Sequence, residues 1–306
     1  VRHAATERAR RSQKLIMGPW PHRINRSPRL GEIDFGPDSV IDLLGYQLRW
    51  FDYWLKGKEN GIMDEPPVRI FVMGENRWRE EEAWPLPDTR WTRYYLHSGG
   101  RANSRFGDGR LSVEPPGEGE APFDRFRYDP KNPVPYITGM TSVQVGGPDD
   151  YSAVERRDDL LVYTTAPLEK DLEVTGPVRM ELCASTSARD TDFMAKLLDV
   201  WPNGFAQRLT DGMVRGRFLK GMDRPELLEP GRIYRFEIDL WNTSHVFKKG
   251  HRIRVEIASS AFPKYDRNLN TGAPLGRTAD MEVAEQTVYH SAQYPSAIIL
   301  PLIPRL

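Results

Sequence analysis

Cysteine, net charge and long apolar runs are scarce or absent in this 306-residue sequence. The single cysteine, Cys183, rules out a disulfide within the chain. The 43 basic and 43 acidic residues balance and are scattered, so no net field would gather nucleic acid or anionic lipid. No stretch approaches the roughly 20 apolar residues that a membrane-spanning helix needs. We therefore expect a globular protein without nucleic-acid or membrane partners.

Two kinds of catalytic motif are also absent. The six histidines form neither an H-E-x-x-H pair nor a cluster with cysteine, so we expect no metal ion and no other cofactor. No G-x-S-x-G segment occurs, although this strained turn exposes the nucleophile of α/β-hydrolases. Cys183 lies in an alternating strand pattern beside Met180 and Leu182, which favours a buried core thiol over a Cys–His catalytic pair.

The chain changes its pattern near residue 61. The first part has α/β character, with a helix-forming stretch over Ala4–Arg11, an apolar strand over Lys14–Met17, and an amphipathic helix that Asp38-Ser39 would cap and that runs to about Lys56. The second part alternates apolar and polar residues between Gly, Pro, Asn and Asp, apart from a long loop predicted at Gly99–Glu120. We therefore predict an α/β segment at 1–61 and an all-β sandwich or jelly roll at 62–306.

The segment Gly18-Pro-Trp-Pro-His22 follows the predicted strand directly. A catalytic histidine must reach a serine on one side and a carboxylate on the other, and a loop after a core strand allows both. In α/β-hydrolases the order along the chain is serine, then acid, then histidine. A histidine after a last core strand and before one amphipathic helix fits this order. The alternative is a loop histidine without a role.

Several motifs along the whole chain resemble one family of serine hydrolases. This family contains cocaine esterase, α-amino-acid ester hydrolase, glutaryl acylase and the X-prolyl dipeptidyl-peptidases, and it is also known as the CocE/NonD type. The matching segments, in order, are Gly18–His22, Gly31–Gly36, Trp50–Gly57, Pro67–Gly74 with Trp78, Trp84-Pro85, Asp192-Phe193, Leu198–Gly204, Asp211–Arg215 and Phe262–Gly272. The order and extent of these matches are specific for the family but not for one member.

The resemblance implies a function and a set of site residues. It implies the C-terminal piece of an α/β-hydrolase core followed by a jelly roll of the galactose-binding type, cleaving esters or amides through an acyl-serine intermediate. The family's catalytic histidine falls on His22. Trp20 stiffens the histidine loop, and the pocket wall is expected to include it and a loop that resembles the family's substrate-facing segment. The pocket candidates in that loop are Met140, Thr141, Ser142, Val143 and Gln144, and the alternative is a plain surface loop.

The resemblance also predicts what this chain needs from elsewhere. The nucleophile, the acid and the oxyanion-hole donors belong to the front part of the family's core, so we expect an N-terminal hydrolase portion as partner and no activity from these residues alone. Asp34 and Asp38 are weaker candidates for a substitute acid. Because the sequence begins at Val1 in a charged stretch, we expect it to continue a longer polypeptide. A cytoplasmic location is favoured.

A different class of protein remains open. Residues 62–306 could be a free-standing jelly roll that binds carbohydrate or has a structural role, with the first 61 residues as a remnant. The sequence speaks against this alternative, because a histidine loop and an amphipathic helix have no purpose in a lectin. A small-molecule ester or amide is the expected ligand. A homodimer is one oligomeric state that the sequence leaves open.

Overall fold

The computed structural model describes residues 3–22, 24–119, 121–138 and 147–304. A small sheet forms near the start of the chain from strands β1 (Leu15–Met17), β4 (Val68–Val72) and β5 (Arg77–Glu81). Strand β1 runs parallel to β4, with Leu15 opposite Val68, whereas β5 forms a hairpin with β4. The sheet therefore takes strands from both sides of residue 61.

Two helices belong to this part of the chain. Helix α1 spans Glu7–Arg11 and helix α2 spans Leu43–Lys56. Helix α2 lies in the connection between the parallel strands β1 and β4, as parallel pairing requires a long crossover. The strands β2 (Arg29–Leu30) and β3 (Ile33–Asp34) form a short hairpin before it.

The predicted start of α2 is wrong, and its predicted end is confirmed. Asp42, not Asp38 or Ser39, is the N-cap, and its carboxylate accepts a hydrogen bond from the Gly45 amide at 2.9 Å. The earlier segment Pro37–Ser39 forms a separate 3-10 turn instead. At the other end Gly57 has φ +67°, a left-handed conformation that glycine adopts without steric cost and that terminates many helices.

The remainder of the described chain is mostly β structure. Its strands are β6 (Arg90–His97), β7 (Arg110–Ser112), β8 (Phe123–Tyr128), β9 (Leu161–Thr164), β10 (Leu172–Thr186), β11 (Asp192–Val200), β12 (Ala206–Arg215), β13 (Tyr234–Phe247), β14 (Arg252–Ala258), β15 (Ala284–Tyr289) and β16 (Ala297–Ile303). They form one 11-stranded sheet in the order β12-β11-β14-β9-β7-β6-β16-β10-β15-β8, with β13 also paired to β10. The prediction of a β-rich second part is confirmed, and the jelly-roll arrangement stays a prediction.

The large sheet encloses one main apolar core, with two smaller apolar clusters beside it. Phe193 of β11 and Phe236 of β13 are fully buried, and their ring centroids lie 4.8 Å apart. Strands β12 and β13 also approach closely, because a Cβ at Gly212 would lie 1.9 Å from the carbonyl oxygen of Asp239. Only glycine tolerates such a close approach of two backbones. Strand β12, at one end of the sheet order, therefore packs against β13, which is paired to β10 in the other half of that order.

Two smaller predictions about this region have different outcomes. The predicted loop Gly99–Glu120 contains the strand β7, which pairs with β6, so this prediction is wrong in part. Cys183 is a free, buried cysteine at 3% exposure, and burial raises the pKa of its thiol. The prediction of a buried core thiol is confirmed.

The small and large sheets are joined by backbone and side-chain contacts. The Met73 amide donates to the Ser244 carbonyl at 3.0 Å, and the Val246 amide donates to the Met73 carbonyl at 2.8 Å. Arg79 of β5 also forms a two-point ion pair with Glu173 of β10, at 2.9 and 2.5 Å. Because Glu173 is 1% exposed, this pair fixes the small sheet to a buried charge in the large one.

Candidate functional site

His22 lies on the loop that leaves β1, four residues after Gly18, and is exposed. Among the described residues, β1 pairs along one edge, with β4. No hydrogen bond joins His22 to another described residue. Its imidazole is exposed on the loop that follows β1.

Trp20 is the residue that braces this loop. Its indole nitrogen donates to the Ser39 carbonyl at 2.8 Å, and its ring lies 5.6 Å from the ring of Trp78. The Trp78 indole in turn donates to the Asp38 carbonyl at 2.7 Å. A Cβ at Gly18 would lie 2.5 Å from the Trp20 ring, so a glycine is needed there. These contacts restrain the loop, and the functional role of Trp20 stays a prediction.

An aromatic cluster continues from Trp20 into the small sheet. Phe71 packs on Trp78 with ring centroids 5.4 Å apart, and Phe35 packs edge-on against Phe71 at 6.1 Å. Farther along the loop, the Asn25 side chain accepts a hydrogen bond from the Ile41 amide at 2.7 Å and donates to the Ile41 carbonyl. The loop on both sides of His22 is therefore tied to the sheet and to the start of α2.

Neither substitute acid contacts His22. One carboxylate oxygen of Asp34 accepts from the Gly36 amide at 2.9 Å, and Asp38 contributes its backbone carbonyl to Trp78. Within the described part of the chain, neither carboxylate is hydrogen-bonded to His22. The two aspartates order the loop that precedes α2, and a role for either as the acid stays a prediction without support from this geometry.

Met140, Thr141, Ser142, Val143 and Gln144 lie outside the described residues. The chain on both sides of them is firmly held. The Tyr136 amide donates to the Phe262 carbonyl at 2.7 Å, and the Ile137 amide donates to the Tyr151 hydroxyl at 3.0 Å. On the far side, Arg208 donates to the Gly147 carbonyl at 2.6 Å.

A serine, a histidine and an aspartate do meet elsewhere, and sequence reasoning did not find them. Ser98 donates to Asp124 at 2.7 Å, and the Nε2 atom of His290 lies 2.9 Å from the same carboxylate oxygen and 3.1 Å from the Ser98 hydroxyl. All three are buried, and the Nδ1 atom of His290 has no partner. A catalytic base needs one nitrogen for the serine and the other for the acid, so this cluster is structural.

The environment of Asp124 agrees with a structural role. Burial alone would raise the pKa of this carboxyl, but hydrogen bonds from His290, the Ala102 amide, Ser98 and Tyr163 outweigh it and hold the pKa below its usual range. An ionised carboxylate with this many donors is a stable anchor inside a core. No sequence signal could have found it, because Asp124 and His290 are 166 residues apart.

A second buried cluster has an aspartate between two histidines. Asp199 accepts from Nε2 of His245 and from Nδ1 of His251, each at 2.9 Å. These three residues line up on β11, β13 and the turn before β14, and Trp201 packs on His251 at 5.5 Å. The two imidazoles bond to the Asp199 carboxylate, and among the residues that the structure describes no group of three or more His, Cys, Asp or Glu is arranged to hold a metal ion.

A surface cavity of about 610 Å³ lies at the β8 side of the large sheet. Its lining is polar and charged, and includes Arg125, Arg127, Arg157, Asp159 and Glu285. Arg157 is already paired with Asp159 and with the Asn132 carbonyl. The cavity contains no part of the histidine loop.

No helix in the described parts of the chain is long and apolar enough to cross a membrane. This agrees with the absence of long apolar runs in the sequence.

Residues 60–299 match the family described as the X-Pro dipeptidyl-peptidase C-terminal non-catalytic domain. The chain belongs to this family. The match begins just after α2 and leaves out the segment that carries His22.

The similarity to individual full-length proteins includes the segment that carries His22. The chain is 42% identical over 299 residues to the cocaine esterase of Rhodococcus sp. (strain MB1 Bresler), which covers 95% of this chain and 52% of that protein.

Two solved structures are also similar over nearly the whole chain. One is an aminopeptidase from a marine sediment archaeon, Thaumarchaeota archaeon, with a TM-score of 0.81, 30% identity, and coverage of 95% of this chain and 49% of that one. The other is an α-amino acid ester hydrolase, with a TM-score of 0.80, 31% identity, and coverage of 94% and 50%. The chain spans about half the length of these relatives. The relatives are named as esterases, ester hydrolases and peptidases, not as carbohydrate-binding modules.

Proposed function

We propose that this chain is the C-terminal part of a serine-dependent acyl hydrolase and that His22 is its general base. The observation that carries the proposal is the geometry of the His22 loop, with an exposed imidazole at the end of a parallel strand, braced by Trp20 through Ser39 and Trp78. The ring contact of Trp20 with Trp78 and the steric requirement for glycine at position 18 restrain the loop, as a catalytic base needs. The family match to a non-catalytic domain does not argue against it, because that match starts at residue 60.

The chemistry follows from the role of such a histidine. His22 takes the proton from the serine hydroxyl as this oxygen attacks the acyl carbon of an ester or amide, and then gives the proton to the departing alcohol or amine. In the second half of the reaction it activates water to release the acyl group. The serine and the acid that orients the imidazole come from an N-terminal hydrolase portion of the same protein.

Helix α2 offers the surface for that portion. Leu44, Leu48, Phe51 and Leu55 recur at helical spacing, and they are 79%, 59%, 54% and 77% exposed. Such a stripe of large apolar side chains normally marks an interaction surface. Since α2 follows the His22 loop, packing against this stripe would bring the partner surface to the histidine.

The large β sheet supplies shape to this enzyme and no reacting group. We propose that it is a jelly roll of the galactose-binding type, that the boundary with the hydrolase segment lies near residue 61, and that Trp20 and residues 140–144 form part of the acyl-pocket wall. The support is the family resemblance and the tight anchoring of Tyr136 and Gly147, which flank the proposed wall.

A fluorophosphonate probe tests whether the nucleophilic serine lies outside this chain, because it labels only an activated serine. The probe is incubated with this chain alone and with the polypeptide that also contains the hydrolase portion, and adducts are located by mass spectrometry. We expect one adduct in the longer polypeptide, on a serine outside these residues, and none in the chain alone. Stoichiometric labelling of a serine or threonine within this chain would overturn the proposal.

A further inference from the structure

Trp241 is a large aromatic residue in a backbone conformation that normally belongs to glycine. Its φ angle is +64°, in the left-handed region that bulky side chains adopt rarely and at a cost in free energy. Strand β13 forms a β-bulge at this point, because two of its residues, Leu240 and Trp241, lie opposite the one residue Val178 of β10. When a bulge contains a left-handed residue, that residue is usually glycine.

The bulge has a structural purpose that does not require a tryptophan. Leu240 in the bulge and Phe247 after it both face the main core, although plain alternation puts residues an odd number of positions apart on opposite faces. The Trp241 amide donates to the Asp239 carboxylate at 2.8 Å, and the Thr210 hydroxyl donates to the Leu240 carbonyl, so neighbouring groups fix this backbone. Glycine would adopt the same conformation without strain, and the tryptophan therefore points to a use for its ring.

The ring of Trp241 lies at the surface. It is 67% exposed, whereas Leu240 beside it is fully buried, and the exposed residues Asp239 and Asn242 lie on either side. An apolar ring with polar neighbours matches the anchor of a protein interface, because tryptophan is enriched among the residues that contribute most to binding. Small molecules bind in concave sites, and Trp241 is not among the described residues that line the adjoining surface cleft. The exposed ring therefore favours a macromolecular partner.

The position of Trp241 indicates which partner covers it. The next residue, Asn242, lines a surface cleft together with Gly18 and Trp20 of the loop that leads to His22. A structure that brings a serine to His22 therefore approaches the surface beside Trp241. The chain spans about half the length of its relatives, so those proteins contain a further portion of similar size that is large enough to reach both places.

We propose that Trp241 is an anchor by which the N-terminal hydrolase portion docks onto the large sheet, in addition to the contact at α2. The ring inserts into an apolar recess of that portion, and Asp239 and Asn242 form the polar rim. The fixed bulge holds the ring outward before docking, which reduces the entropy lost on binding. The identity of the partner rests on the proposed function, whereas the contact itself does not depend on catalysis by His22.

Hydroxyl-radical footprinting of the polypeptide that contains both portions tests whether the ring is covered. Mass spectrometry follows the oxidation of Trp241, and its rate is compared with the rate of the same residue in the urea-unfolded polypeptide. We expect oxidation to be slower by about fivefold or more in the folded polypeptide, because anchor residues are fully desolvated. A rate close to that of the unfolded polypeptide would overturn the proposal. Protection that disappears on dilution would also overturn it, because the cover would then be a second copy of the protein.

Trp241→Gly in the same polypeptide separates an anchor from a ring without a partner. Glycine fits φ +64° better, and the largely exposed ring makes little contact within the chain, so loss of an unpartnered ring should leave the melting temperature unchanged or raise it. Loss of an anchor should lower it by about 3 °C or more. The matched control is Ser104→Gly, at another left-handed residue with φ +61°, which measures the effect of glycine itself. An unchanged or higher melting temperature in Trp241→Gly would contradict the assigned contact.

Neither measurement reports on catalysis, so the two proposals can fail separately. A protected Trp241 in a polypeptide whose turnover survives His22→Ala would support the docking contact and reject His22 as the base. An exposed Trp241 in a polypeptide that needs His22 for turnover would reject the docking contact alone.

Discussion

The side chains of helix α2 and those of strand β11 differ in how far they are buried. None of the residues of α2 is fully buried, whereas all nine residues of β11 are. The charged residues of β11 have partners inside the same sheet, as in Lys196–Glu256 at 2.9 Å. Strand β11 is therefore buried on all sides, whereas α2 keeps a row of large apolar side chains exposed. This contrast supports a chain in which one part provides a scaffold and the other joins a second structure.

The largest expected effect comes from truncating one phenylalanine in each region. Phe193→Ala should lower the free energy of unfolding by about 3–5 kcal/mol, because its buried ring packs on Phe236 and the site cannot collapse fully. Phe51→Ala, on the exposed face of α2, should change it by less than about 0.5 kcal/mol in the chain alone. Urea unfolding of both variants measures the difference. Similar losses would show that α2 is already packed.

Arg79→Met should have the next largest effect, because it breaks the connection between the two sheets. Among the described residues, the buried Glu173 then keeps its hydrogen bond from Thr175 and loses its ion pair, and we expect a loss of about 3 kcal/mol. Arg93→Met is the matched control, since its Glu181 partner is partly exposed and surface pairs contribute less than about 1 kcal/mol. Thermal unfolding compares them, and equal shifts would contradict the account.

The pH dependence of stability should come largely from the β region. Burial, and then the nearby Glu256 carboxylate, raise the pKa of Glu155 to about 7. The folded state therefore holds a proton that the unfolded state releases near pH 4.5, so stability falls as pH rises from there to about 7, by at most about 1.4 kcal/mol per pH unit. Glu155→Gln should flatten this slope. Urea unfolding from pH 4 to 8 measures it, and an unchanged slope would assign the effect to other groups.

The smallest effect is expected for Leu48→Glu in the chain alone. Leu48 is 59% exposed, so the change in unfolding free energy should stay below about 0.5 kcal/mol. In the polypeptide that includes the hydrolase portion, the same substitution should lower the melting temperature, since a charge would be buried at the α2 surface. The matched control is Lys58→Glu, beyond the apolar stripe. Equal behaviour of Leu48→Glu in both contexts would remove α2 from the interface.

Local sequence patterns predicted many of the helices and strands. The pairing between strands that are distant in sequence could not be predicted from them. The period of the apolar residues predicted α2 and its end near Lys56, but both Asp38 and Asp42 are good caps and only the structure distinguishes them. The alternating pattern around Cys183 belongs to the longer strand β10, in which a register shift between Pro177 and Arg179 interrupts the pairing. The parallel pairing of β1 with β4 has no local signal.

The candidate site was predicted in a similar way. The loop motif identified His22 and Trp20, because consecutive residues define it. The brace of Trp20 by Ser39 and Trp78 and the cluster around Asp124 depend on residues that are far apart in sequence. A single sequence does not place such residues together.

The most direct test of the account is the turnover of an activated ester by the polypeptide that contains both the hydrolase portion and this chain. His22→Ala should lower kcat by about 10³-fold or more, as expected for loss of a catalytic base, while the melting temperature stays unchanged because the imidazole is exposed. His3→Ala, an exposed histidine outside the loop, should retain full activity. Near-normal turnover in His22→Ala would contradict the assignment of His22 as the base.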